Sequence, residues 1–326
     1  MFESVLLFAV GLVLLIKGGD WFVDGATGIA HRFHIPELLI GATVVSIGTT
    51  LPEVMVSATS ALGGHGEIAY GNAVGSIICN TSLIAAISVA IRPSKIDRKA
   101  LLLPVLFFFA SAAIYVTVAY AFGSFSRVVG IILLAIFVIY MIISVYQTKK
   151  QPAEPVGDEA LPDPATQTKF SVVKELILLV VGAAVIAVGA DLLVDNGTII
   201  AEKLGVPESV IALTFVALGT SLPELVTAIT SLVKGHGALS LGNVIGANLF
   251  NLVLVGGVSI VLSPFDIPGG KQIAGINSSL VIDIPVMLFV MAFLTLPSLI
   301  RGKLSRVQGI VLLGIYAAFC VLQFAM

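Results

Sequence analysis

Two acidic residues stand where an apolar chain tolerates charge least. Glu53 falls inside the apolar run 37–62 and Glu224 inside 208–233, each directly after proline, in GTTLPE and GTSLPE. An ionised side chain deep in a membrane helix costs a few kcal/mol or more, which marks both glutamates as functional candidates. Pro52 and Pro223 have no N–H to donate, so the carbonyls of Gly48 and Gly219 lose their helical partners and the helices are expected to break or kink there. Thr50-Leu51-Pro52-Glu53 and Ser221-Leu222-Pro223-Glu224 are also spaced as capping boxes: a hydroxyl at the cap, proline in the first turn and glutamate in the third position. Each break then presents hydroxyl, carbonyl and carboxylate oxygens together. Hard cations prefer such ligands, and Ca²⁺ takes six to eight oxygens at about 2.3–2.6 Å.

The following apolar segment of each half adds an amide. Asn80 ends GNAVGSIICN, with Ser76 one turn earlier, and Asn251 ends GNVIGANLFN. Gly71 and Gly75, with Gly242 and Gly246, have the small-residue spacing that lets helices approach closely.

These pieces belong to an internal repeat. At a constant offset of 171 residues, SIGTTLPE (46–53) faces ALGTSLPE (217–224), GHG (64–66) faces GHG (235–237), and the two GN segments face each other. The register begins upstream, where Gly18 and Asp20 match Gly189 and Asp191, and it resumes after a shift of eight, where GSFSRVVGI (123–131) faces GKLSRVQGI (302–310). A discontinuous segment at matched positions of two repeats points to a transport site at their interface.

The elements that must carry these residues are membrane helices. With 58% hydrophobic and 11% charged residues, the chain lies far from the roughly 45–50% apolar and about 25% charged of soluble domains. Apolar runs long enough to cross a bilayer lie near 3–30, 37–62, 67–91, 100–121 and 126–147, then 172–201, 208–233, 238–262, 277–299 and 305–325. The expected fold is an all-α membrane protein of ten helices: a first repeat over 1–147, an aqueous linker over 148–171 rich in proline and charge, and a second repeat over 172–326. Helices 2 and 7 are the broken pair at its core. Five spans per repeat require the second copy to enter the membrane from the opposite side. Charge agrees: 14 of the 17 lysines and arginines fall on one side of this arrangement, and only Arg127, Lys203 and Lys271 on the other. The rich side is read as cytoplasmic, with the linker inside and both termini outside. Glu3 precedes the first apolar run and no basic segment does, so that run reads as a retained span.

GTTLPEVMVS with GNAVGSIICN, and GTSLPELVTA with GNVIGANLFN, resemble the two alpha-repeats of the cation/calcium exchanger superfamily, over essentially the whole chain. The resemblance implies a prokaryotic-type sodium/calcium antiporter of the cell membrane. In it Glu53 and Glu224 bind Ca²⁺ or Na⁺ in alternation, helped by backbone oxygens of Thr49 and Thr220. It also implies that Ser46, Thr50, Ser76, Asn80, Ala217 and Ser221 line Na⁺ or proton-linked positions, some through their carbonyls. Two positions depart from the pattern: Asn251 stands where many members carry aspartate, and Ala247 where they carry serine. Two glutamates balance one Ca²⁺, whereas three Na⁺ leave an unbalanced positive charge. Exchange driven by H⁺, or dependent on K⁺, therefore stays open beside Na⁺.

The remaining polar residues carry less. Asp20, Asp24, Asp191 and Asp195 read as solvated span ends, Asp283 has no acidic twin, and His65 and His236 sit in glycine-flanked turns. Arg92, Lys95, Arg98 and Lys99 read as topology determinants, and Cys79 and Cys320 as packing residues. No cofactor and no nucleic-acid partner is implied; the partners are inorganic cations and the lipid bilayer. An intramembrane protease is disfavoured, since no HExxH occurs and the aspartates lie at span ends. A passive channel is distinguished by flux that needs no counter-ion.

Overall fold

The computed structural model describes residues 2–93, 95–150, 169–204, 219–269, 272–273 and 275–325. The first half contains α1 (Phe2–Arg32), α2 (Glu37–Leu62), α3 (Gly66–Ile91), α4 (Arg98–Phe122) and α5 (Arg127–Lys150). The second contains α6 (Lys169–Lys203), α7 (Leu222–Val233), α8 (Gly237–Leu262), α9 (Ser279–Arg301) and α10 (Arg306–Ala325). Among the described residues, nine of these helices have the length and apolarity to cross a membrane, and α7 is a shorter apolar helix. The beginning of the seventh expected span, and Ala217 with it, lie outside the described residues, as does most of the expected linker.

Contacts between connections check the number of crossings. Glu37 meets His236, Arg92 donates to the Leu232 carbonyl, and Ile96 N–H donates to the Gly302 carbonyl at 3.0 Å. These bonds gather the α1–α2, α3–α4, α7–α8 and α9–α10 connections on one side. On the other, β1 (Ser124–Phe125) pairs antiparallel with β2 (Phe265–Asp266), and Phe265 lies against Gly66 at the start of α3. That gathers the α2–α3, α4–α5 and α8–α9 connections. The split is the one that alternate crossing demands.

Helices α1 and α6, which correspond in the repeat, pack along their lengths through glycine. Gly11 lies against Gly189, Gly18 against Ile186, and Gly25 against Glu175 and Leu179. As one number rises the other falls, so the two equivalent helices run antiparallel. A Cβ at Gly25 stands 2.6 Å from a backbone oxygen of α6, so these backbones meet at a distance only glycine permits.

The inner helices are α2, α3, α7 and α8. Among the described residues there are four π-helical stretches: Gly41–Val45 in α2, Asn80–Ala85 in α3, Asn251–Gly256 in α8 and Ser279–Asp283 at the start of α9. Such turns concentrate at functional sites because they widen the helix and release backbone groups. The carbonyl of Ala42, inside the first of them, takes a 2.8 Å bond from the buried Tyr140 hydroxyl of α5.

Candidate cation site

Pro52 does not end its helix. Ser46–Leu62 stays α-helical through it, and the irregularity ends about two turns earlier, in the π stretch Gly41–Val45. The expected capping box at Thr50 therefore does not form, because Thr50 is inside a continuing helix. In the second half α7 does begin at this motif, with Ser221 at the cap and Pro223 in the first turn, but the serine hydroxyl makes no cap bond. In both halves the motif's hydroxyl is thus left free.

The π stretches of α3 and α8 begin at Asn80 and Asn251, the two asparagines singled out in the sequence. α7 packs on the Asn80 stretch, and the Ser46–Leu62 part of α2 on the Asn251 stretch. Each glutamate helix is thereby set against the amide of the opposite half. The two carboxylates lie close enough to interact, as do the Glu224 carboxylate and the Thr49 and Thr50 hydroxyls.

Glu53, Glu224, Thr50, Asn80 and Asn251 are 0% exposed, and Ser221 is 1% exposed. None of their side-chain polar atoms has a hydrogen-bond partner. Together they offer eight oxygens: four from carboxylates, two from hydroxyls and two from amides. Leaving a buried polar atom unpaired costs about 1–3 kcal/mol, more when it is charged, so the fold sustains this cluster only if something else satisfies it. A hard cation with six to eight oxygen ligands has the matching chemistry. Among the described residues no group of three or more His, Cys, Asp or Glu is placed to hold a metal ion.

The other expected residues divide. Ser46 donates to the carbonyls of Gly41 and Asn243, at 2.7 and 2.9 Å, so it ties α2 to α8. The Thr49 hydroxyl donates to Asn243 Oδ1 at 3.1 Å, and the Thr220 hydroxyl to Asn72 Oδ1 at 3.2 Å. These are the same bond in the two halves, since both residues of each pair are related by the repeat offset. Ser76 is buried beside Asn80 on the same helix.

Asn72 and Asn243 are the residues that sequence reasoning missed. Asn72 also donates to the Glu53 carbonyl at 3.3 Å and to the Ser57 hydroxyl at 2.8 Å, holding α3 against the turn that carries Glu53. Their signal was present in the GN pair of each repeat, which was read only for its glycine. Two surface readings gain partners. Asp20 and Asp24 are not merely solvated: Lys234 Nζ lies 3.4 Å and 2.7 Å from their carboxylates. His236 lies in a turn as expected, but its Nδ1 is 2.7 Å from Glu37 Oε1, and the shared bond raises its pKa.

A buried, oxygen-lined site between repeated halves of a polytopic helical bundle defines a membrane carrier for hard cations. The family model for sodium/calcium exchanger proteins matches residues 3–146 and 174–325, and the chain belongs to that family. It is 35% identical to an uncharacterized membrane protein of Methanocaldococcus jannaschii, over 95% of this chain and 94% of that one. The sodium/calcium exchanger MaX1 of Methanosarcina acetivorans is 30% identical over 98% of both chains. A solved structure of the sodium-calcium exchanger NCX_Mj superposes with a TM-score of 0.79 at 33% identity, covering 97% of each chain.

Proposed function

We propose that this protein exchanges Ca²⁺ for Na⁺ across the membrane by alternating access to the Glu53/Glu224 site. The observation that carries this reading is the set of eight unpaired buried oxygens, drawn from four elements that the repeat relates in pairs. Membership of the exchanger family and the likeness to the NCX_Mj structure support the choice of ions. Thr49 and Thr220 contribute backbone oxygens, while Thr50, Ser221, Asn80 and Asn251 complete the cation shell with Ser46 and Ser76 nearby. Coupling follows from competition: Ca²⁺ and the counter-ion need the same two carboxylates, and the unneutralised pair is too costly to carry across a low-dielectric barrier.

The antiparallel α1 and α6 support the inverted-repeat arrangement, and their glycine seam makes them one body that slides past α2 and α7. The lysine and arginine bias supports a cytoplasmic side for the α1–α2, α3–α4, α7–α8 and α9–α10 connections in a prokaryotic cell, with both termini outside.

Asn251 and Ala247 favour a second reading, Ca²⁺/H⁺ exchange, because two carboxylates neutralise one Ca²⁺ or two protons but not three Na⁺. The test is Ca²⁺ uptake into liposomes under an outward Na⁺ gradient, an outward H⁺ gradient or none, with Glu53→Gln and Glu224→Gln alongside. Na⁺-driven uptake lost in both variants establishes the exchange. Uptake driven only by H⁺ establishes the second reading, and full activity in either variant removes the site.

A further inference from the structure

Several buried hydroxyls in this protein bond to their own helix. Thr27, Thr43, Ser82, Ser111, Ser259, Thr295 and Ser298 each donate to the carbonyl four residues back. Thr227 and Ser231 do neither this nor anything else: both are 0% exposed and their hydroxyl oxygens have no partner. They lie three and seven residues beyond Glu224, which on an α-helix places all three side chains within about 60° of one face. Ser231 is therefore about 10 Å along the axis from Glu224. It stands at the end of α7, where its carbonyl takes the His236 N–H at 2.7 Å.

Beyond that point the hydroxyls of Ser88 on α3 and Ser240 on α8 stand 3.5 Å apart. They line a cavity of about 10 Å³ with Leu232 and Arg92, close to the room one water molecule needs. The Arg92 guanidinium donates to the Leu232 carbonyl at 3.4 Å at the rim of this cavity.

We infer that Thr227 and Ser231 form a transit site for the transported cation between Glu224 and the face that carries the α7–α8 turn. The chemistry is that of the main site, neutral hard oxygens in a buried setting, without a carboxylate that would hold the ion. The route belongs to one half only. The repeat equivalents are Val56 and Ser60, and Val56 is 39% exposed on the helix surface. Arg92, whose charge repels a cation, closes the route until that rim opens.

The inference rests on Glu224 being a ligand of the cation, and the experiment separates the two. Thr227→Val, Thr227→Ser and Ser231→Ala are reconstituted, and Ca²⁺ transport is measured separately from each face in vesicles of determined orientation. Losing one hydroxyl ligand is expected to raise the KM for Ca²⁺ roughly fivefold from the α7–α8 face and leave the opposite face unchanged. Thr227→Ser, which keeps the oxygen, restores the original value. Equal change at both faces, or none in Thr227→Val and Ser231→Ala alike, overturns the transit site. Transport that survives Glu224→Gln removes the main site instead. Should Thr227→Val fail to fold, Ser231→Ala at the helix end carries the same test.

Discussion

Replacing Gly242 by alanine tests the central packing. An added Cβ would stand 2.1 Å from the Leu38 carbonyl oxygen, 2.9 Å from its carbon and 3.0 Å from the Leu38 Cα, all backbone atoms. Contacts shorter than 3.0 Å are not sustained, so α2 and α8 must separate by at least 0.9 Å, the difference between 3.0 and 2.1. The Thr49–Asn243 bond at 3.1 Å and the Ser46–Asn243 bond at 2.9 Å cross this same contact, and that displacement takes both out of range. Overpacking costs about 1–3 kcal/mol. The two interhelical bonds add about 0.6–1.7 kcal/mol each. Gly242→Ala should therefore lose several degrees of apparent melting temperature in detergent, with Ca²⁺ uptake falling as the Thr49 turn is displaced. Gly314→Ala in α10, with no described neighbour within 4 Å, is the control and should behave as wild type. A Gly242→Ala protein with unchanged melting and uptake would refute the close α2–α8 contact.

Three further outcomes follow. Glu37 raises the pKa of His236 through their hydrogen bond, so the pair's stabilisation is complete below about pH 6.5 and is lost as pH rises through the raised value. Melting temperature should fall over that interval in the wild type and vary less in Glu37→Gln; matching pH profiles would dismiss the pair. Asn72→Ala strands the Thr220 and Ser57 hydroxyls and frees the Glu53 carbonyl, an expected loss of about 1–3 kcal/mol. It should appear as reduced Ca²⁺ uptake with lowered thermal stability, and unaltered uptake counts against a positioning role. Asn251→Asp supplies a third carboxylate, so uptake should depend more steeply on Na⁺ concentration; an unchanged slope would show that site charge does not set the stoichiometry.

The sequence alone determined the crossings and the two glutamates. Hydropathy and the Lys/Arg bias are summed locally along the chain, and the cost of a buried carboxylate is a property of Glu53 and Glu224 wherever their helices lie. The repeat added symmetry, which pairs the two charges as one candidate site. Local spacing misled at Thr50: a proline and a hydroxyl read as a cap, yet packing against α8 carried the helix straight through and moved the irregularity to Gly41–Val45. Only the tertiary structure decided how the halves are joined. Thr49 and Asn243 are 194 residues apart, Glu37 and His236 are 199 apart, and no local pattern records which distant group will satisfy a buried polar atom. The same holds for the orphans: Thr227 and Ser231 read as ordinary helix hydroxyls until packing buries them with no described side chain or backbone group in reach.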